Sequence, residues 1–279
     1  MTVSIPPLPG IILDPIVRLA LAEDLGRAGD LTSDATVPAG TQMRAVIAAR
    51  RTGVIAGLDA AEHALRLIDA DVRFMQTKTD GAEVSPGDVI VRIEGSARSI
   101  LIAERTMLNF LGRLSGVASL TRQYVNAVAH TKARIVCTRK TTPGHRALEK
   151  RAVRCGGGTS HRYGLDDAIL IKDNHIAACN GSVADAIERA KAYAGHLRMV
   201  EVEVDTLAQL EIALAHAPHA ILLDNMSVDD LRIAAKLTGG RVILEASGGV
   251  TLSSVAAIAE TGVDFISSGA LTHSAPSLD

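Results

Sequence analysis

The 279-residue chain contains no tryptophan, and tyrosine and phenylalanine occur three times each. So few rings leave no material for the aromatic platforms on which single-stranded nucleic acids stack. The core must be filled by Ala, Val, Leu and Ile instead. Charge of one sign is equally scarce: 29 Lys+Arg stand against 31 Asp+Glu, a net charge of −2, and the sequence pI is about 6.5. That balance speaks against nucleic-acid binding through bulk charge. Three cysteines, Cys137, Cys155 and Cys179, form an odd set with no CxxC pair. They offer neither a disulfide framework nor a zinc site and suit a reducing cytoplasm. Apolar runs break at charges before the roughly 18 residues a membrane span needs. The opening MTVSIPPLPG lacks the basic and apolar regions of a secretion signal. The sequence therefore predicts a cytoplasmic protein with no membrane partner. What is present, 47% hydrophobic and 22% charged residues, is enough apolar material for a core and excludes a disordered chain.

The two parts of the chain have different rhythms. Residues 11–25 have helical spacing and stop at Gly26; a polar stretch follows, then short β-like runs, then helical spacing over 59–68. The segment VRFMQTKTDGAEVSPGDVIVRIEG alternates around Asp80-Gly81 and Pro86-Gly87 and reads as strands joined by tight turns. Apolar positions from 99 to about 129 repeat near a period of 3.6, and Gly112 and Gly116 predict two helices or one with a break. Beyond this, β-branched runs at 134–138, 168–171, 199–204, 220–223, 242–245 and 263–266 alternate with alanine-rich helical segments such as VADAIERAKAY and VDDLRIAAKL. Such alternation means parallel strands with crossover helices. Six units in about 150 residues favour a closed, barrel-like sheet, with a doubly wound sheet as the alternative.

In an α/β barrel the chemistry lies at the C-terminal ends of the strands. Here the strand candidates run into Arg139-Lys140, Lys172-Asp173-Asn174-His175, Asp224-Asn225, Ser247-Gly248-Gly249 and Ser267-Ser268-Gly269. One polar end means little, because loops are polar anyway; five at one end of a sheet indicate a site. In MVEVEVD, alternation puts Val200, Val202 and Val204 on one face and Met199, Glu201, Glu203 and Asp205 on the other. If the valines meet the helices, the carboxylates enter the lumen, where they need a cation. Either they pair with lumenal Lys or Arg and bind nothing, or Glu203, with Asp224 at the next strand end, holds Mg²⁺ beside substrate phosphates. The segments ASGGV and ISSGAL offer small residues and backbone N–H groups to an anion, or are simply tight turns. Between 138 and 175 lie Arg139, Lys140, Arg146, Lys150, Arg151, Arg154, His161, Arg162 and Lys172. Of these, Lys150 and Arg154 are expected to face solvent, and the loop guanidinium groups to bind carboxylates or phosphates bidentately. The pattern is that of a cationic bowl with one acidic wall, a receptor for a polyanion with a divalent metal.

The motifs LAEDLGRAGDLTSDA, AERTMLNFLGRLSGVAS, TRKTTPG, GGGTSHRYGL, DAILIKDNH, EVEVD, LLDN, EASGG and ISSGALTHSAPSLD together resemble the quinolinate phosphoribosyltransferase family, in family order along nearly the whole chain. The resemblance implies a small N-terminal α+β open-faced sandwich, residues 1–114. An irregular, TIM-like α/β barrel over 115–270 follows, and a tail, 271–279, returns to the first domain. It implies transfer of the ribosyl phosphate of phosphoribosyl pyrophosphate to the nitrogen of quinolinate. Pyrophosphate and CO₂ leave, and nicotinate mononucleotide remains. Mg²⁺ accompanies the donor, and no organic cofactor is needed because the ribosylated pyridinium itself receives the electrons of the departing carboxylate.

By the same resemblance, Arg139, His161 and Arg162 meet the carboxylates of quinolinate, while Lys140 and Lys172 meet the pyrophosphate and the dicarboxylate. Glu203 and Asp224 face the ribose hydroxyls and Mg²⁺, directly or through water. Ser247, Gly248, Gly249, Ser268, Gly269 and His273 hold the 5′-phosphate. Arg105 is supplied to the neighbouring subunit's site, which implies a homodimer or a larger assembly built from it. Three positions depart from the family pattern: His145 and Arg151, where an apolar and an aromatic residue are usual, and Ser160, where Asn commonly precedes the His-Arg pair. A relative of the molybdenum-operon type, acting on another anionic heterocycle, is the alternative activity.

Overall fold

The computed structural model describes residues 5–279, which form two compact units. The first comprises the chain to Arg122 together with 141–157 and 272–279. It opens with helices α1 (Gly10–Leu25) and α2 (Leu31–Thr36), the latter in the stretch whose polarity masks it in the sequence. Asp30 caps α2 by accepting from the backbone N–H groups of Thr32 and Ser33. Strands β1 (Gln42–Ala48) and β2 (Gly53–Val54), helix α3 (Leu58–Ile68), and strands β3 (Arg73–Gln76), β4 (Glu83–Val84) and β5 (Val89–Ser96) follow. They make an antiparallel sheet ordered β1-β5-β3 and a separate β2-β4 pair. The two expected turns are present, with Gly81 and Gly87 at φ 88° and 92°.

Helix α4 (Ala97–Val128) is continuous, contrary to the break expected at Gly112 and Gly116. Those glycines make room instead of breaking the helix. A Cβ on Gly116 would lie 1.9 Å from the Pro276 carbonyl oxygen, and one on Gly112 3.1 Å from that of Leu278. The C-terminal residues thus lie on α4 through backbone contact, and Leu278 N–H donates to Gly112 O at 2.9 Å.

The second unit comprises residues 123–140 and 158–271. Strand β6 (Arg134–Val136) precedes helix α5 (Arg146–Cys155) in sequence, and α5 belongs to the first unit. The alternation then runs β7 (Ile169–Ile171), α6 (Asp173–Ala178), α7 (Val183–Ala194), β8 (Val200–Val204), α8 (Leu207–Ala215), β9 (Ala220–Asp224), α9 (Val228–Thr238), β10 (Ile243–Ser247), α10 (Val255–Ala259), β11 (Phe265–Ser267) and α11 (Ala270–His273). All six expected strands form one parallel sheet, ordered β6-β11-β10-β9-β8-β7. The predicted closure is incomplete: among the described residues no ladder joins β6 to β7. Both edge strands are three residues long, and β6 is bordered by a single bridge to Thr159. In sequence, α5 lies between these two edge strands.

Helix α5 also corrects the expectation for Lys150. That residue is 4% exposed, because α5 is enclosed on most of its circumference, whereas Arg154 does face solvent. Its neighbour Glu149 is fully buried. The carboxylate accepts from Thr142 N–H at 3.0 Å, Thr142 Oγ1 at 2.8 Å and Arg113 Nη2 at 2.7 Å. A buried charge so completely bonded fixes the segment that leads from β6 into α5.

Candidate active site

Strand β8 carries the alternation the sequence announces: Val200, Val202 and Val204 are buried against the helices, and Glu201 and Glu203 occupy the opposite face. Residues in register in a parallel sheet share a face. Glu203, Leu222 and Glu245 form one such row, and Asp224 and Ser247 stand two residues further toward the strand ends. Lys172, immediately after β7, places Nζ 2.5 Å from Glu203 Oε2. Burial and then the charge of Asp205 push the Asp224 pKa up, while Lys172 and Lys140 pull it down. Both lysines therefore act on the carboxylate pair named from sequence. Asn225 Nδ2 donates to Asp224 Oδ2 at 2.7 Å, and Asn225 itself has φ 54°.

The small-residue loops are built for close approach. Gly248 has φ +89°, and a Cβ there would fall 2.1 Å from Asn225 Oδ1. Alanine at 248 must displace Asn225, and with it the donor to Asp224. Gly249, at φ +58°, has open space at its Cβ position. Ser268 is buried and its Oγ donates to Val250 O at 3.4 Å, so its side chain serves the protein interior; Ser247 and Gly269 are half-buried.

The chain from Thr159 onward carries the cationic part. Burial, followed by the charge of Arg139, lowers the Arg162 pKa, so the two guanidinium groups repel. Arg162 Nη1 donates to Ala168 O at 3.2 Å, while its buried Nε has no hydrogen-bond partner. A pair of like charges with an unused donor has the chemistry to receive a carboxylate. The loop beyond is held by Asp167, which accepts from Tyr163 N–H at 2.5 Å and Gly164 N–H at 3.0 Å.

His161 is enclosed by carboxylates: Nε2 lies 3.1 Å from Glu201 Oε2 and 3.6 Å from Glu245 Oε1. Sequence reasoning named neither glutamate as a partner of this histidine. Period-2 geometry in VILEAS, set in register with EVEVD, is the signal that could have found Glu245. Burial and then the charge of Glu201 push its pKa up to about 7. Below the unfolded-chain value of 4.5 the group is protonated in both states and costs nothing. As pH rises from 4.5 toward 7 the unfolded chain ionises first, so stability falls, and the loss is complete above 7. Relative to Glu245→Gln, the native protein should lose roughly 5 °C of Tm across this window. Parallel curves in calorimetry at stepped pH would refute it.

Four residues singled out in the sequence, Arg105, His145, Arg151 and His273, fall in the first unit. Arg105 is exposed on α4 and, with Glu104, lines a groove of about 960 Å³ whose apolar wall includes Ala45, Ile47, Ile93 and Leu108. His273 is exposed, with Nδ1 2.6 Å from Ser274 Oγ. Arg151 pairs with Asp80 and Asp59, and Nε donates to Pro6 O at 3.0 Å, so its departure from the family pattern is an internal ion cluster. His145, another of these departures, stacks on Phe110 with ring centroids 6.1 Å apart. Ser160 is exposed, and nothing in the structure explains it.

Two family models match the chain: the quinolinate phosphoribosyl transferase N-terminal domain over residues 30–115 and the C-terminal domain over 117–279. The nicotinate-nucleotide pyrophosphorylase [carboxylating] of Mycobacterium leprae is 47% identical over 268 residues, 94% of each chain. A probable nicotinate-nucleotide pyrophosphorylase [carboxylating] of Bacillus subtilis is 46% identical over 257 residues, 92% of this chain and 88% of that one. The crystal structure of NadC from Streptococcus pyogenes superposes with a TM-score of 0.94 at 43% identity, covering 98% of this chain and 96% of its own. With both domain models, these relatives and this fold in agreement, the chain belongs to the quinolinate phosphoribosyltransferase family.

Proposed function

We propose that the protein transfers the ribosyl phosphate of phosphoribosyl pyrophosphate to quinolinate with loss of CO₂, forming nicotinate mononucleotide in the cytoplasm for NAD synthesis. The observation that carries this reading is the arrangement at the strand ends. Lys172 pairs with Glu203, Asp224 lies in the field of Lys140 and Lys172, and Arg162 lies in the field of Arg139. Quinolinate brings two carboxylates on a planar ring, which suits the forked guanidinium groups of Arg139 and Arg162, with His161 in the same wall. The names of the curated relatives favour this substrate over a molybdenum-operon heterocycle.

Glu203 and Asp224 supply hard oxygen donors of the kind Mg²⁺ takes together with phosphate oxygens. Mg²⁺ there would neutralise charge on the departing pyrophosphate. The chain's own residues do the rest. Lys140 and Lys172 stabilise anionic oxygens, the two carboxylates stabilise the ribose as it turns cationic, and the backbone of Ser247, Gly248, Gly249 and Gly269 receives the 5′-phosphate. Incubation with both substrates and Mg²⁺ should yield nicotinate mononucleotide and CO₂ in equal amounts, and chelation should abolish both. Product without CO₂, from another heterocycle, would replace this reading.

The apolar groove beside Arg105 supports a homodimer in which that arginine serves the neighbouring active site. Mixing Arg105→Ala and Lys140→Ala proteins, each nearly inactive, should restore about a quarter of native activity through mixed dimers with one intact site. No recovery in dimers shown to have exchanged subunits would count against it.

A further inference from the structure

Both nitrogens of the His161 ring are engaged by the protein. Nδ1 lies 2.8 Å from the backbone nitrogen of Arg162, whose N–H can only donate. Nδ1 therefore presents its lone pair, and the ring proton must sit on Nε2, which faces Glu201 Oε2 at 3.1 Å. The side chains of His161 and Glu201 are 13% and 12% exposed, so water competes little for this contact. The charged and titratable groups around the ring include Glu201 on β8, Glu245 on β10 and Arg162 on its own loop. Ser267 on β11 and the charge of Glu203 act on Glu245 in turn. A protonated imidazolium would lose the Arg162 contact, because Nδ1–H and the backbone N–H would confront each other.

We propose that Glu201 is a positioning residue for the dicarboxylate substrate: by accepting the Nε2 proton it holds His161 as the neutral tautomer whose Nδ1 fixes the backbone of Arg162. His161 then adds no positive charge to the bowl. Its contribution is to hold the start of the arginine's side chain in place while the far end, anchored on Ala168 O, presents its donors. The consequence for catalysis rests on the proposed use of Arg162 to bind quinolinate; the tautomer does not.

The test has two arms. In protein labelled with ¹⁵N-histidine, the His161 signal, identified by its loss in His161→Asn, should show a pyridine-like Nδ1 and a pyrrole-like Nε2 near neutral pH. Two protonated nitrogens there would overturn the proposal, whether or not the protein turns over quinolinate. In steady-state kinetics, Glu201→Ala should raise the quinolinate KM about tenfold and leave that for phosphoribosyl pyrophosphate within about twofold. Glu201→Gln, whose amide oxygen still accepts from Nε2–H, should recover most of the loss. A glutamine variant as impaired as the alanine one would mean that His161 is a cation paired with Glu201, and equal rises in both KM values would mean general damage; either overturns the assignment. Should Glu201→Ala fail to fold, the glutamine variant and the nitrogen spectrum still decide. Absence of quinolinate turnover in the native protein would defeat the functional reading alone.

Discussion

Replacing Arg162 with alanine raises the KM for quinolinate about a hundredfold and changes that for phosphoribosyl pyrophosphate by less than about threefold. The size follows from what is removed. A forked, charge-assisted contact to a carboxylate contributes about 1.5–3 kcal/mol, and 1.4 kcal/mol is a factor of ten. The structure places the guanidinium in the field of Arg139, with a buried Nε from which no protein group accepts, so a carboxylate there would offset a charge and donor the protein itself leaves uncompensated. Arg139→Ala should behave alike, and the double variant should lose less than the sum, because each removal also relieves repulsion in the empty site. Lysine at 162 should recover only a small part, since an ammonium keeps the charge but not the fork. Nearly native quinolinate kinetics in Arg162→Ala would remove this residue from the carboxylate site.

The strands of the second unit were legible because their residues satisfy one constraint at a time. Val200, Val202 and Val204 pack against helices while Glu201 and Glu203 face the other way, a pattern period-2 geometry reveals without a structure. The acid pair Glu203 and Asp224 could be named for the same reason. What local pattern does not show is where two distant segments answer each other. Gly112 and Gly116 read as helix breakers because nothing nearby announces that residues 276–278 lie against them. Lys150 read as a solvent-facing cation because a helix of strongly polar composition gives no hint that it is enclosed. The partners of His161 were missed on similar grounds: a histidine preceding an arginine looks like a ligand for anions, and only the sheet register brings Glu201 and Glu245 to its ring. Closure of the barrel failed by a related route, since alternation counts strands but does not say whether the first and last meet.

Glu203→Ala is expected to lower kcat by two to three orders of magnitude, the usual loss when a preorganised group facing transition-state charge is removed. The opposite sign is expected in substrate binding. In the native protein Glu203 holds the Lys172 ammonium at 2.5 Å, which partly spends that cation before any anion arrives. Without the carboxylate, Lys172 carries an uncompensated charge at the strand ends, and the quinolinate KM should stay level or fall. A role confined to folding would instead lower activity through the amount of native protein, leaving both KM values and the per-molecule kcat intact. Glu203→Gln separates the remaining alternatives: it preserves size and one acceptor but removes the charge, so it should resemble alanine in kcat if the carboxylate stabilises a cationic ribose or binds Mg²⁺. Raising Mg²⁺ then distinguishes these two. Partial rescue of kcat at high metal assigns the loss to weakened metal binding, whereas a deficit that persists at saturation assigns it to the lost negative charge beside the ribose. A quinolinate KM that rises in step with the fall in kcat would show that Lys172 and Glu203 act as one binding unit and not as charges opposed in substrate binding.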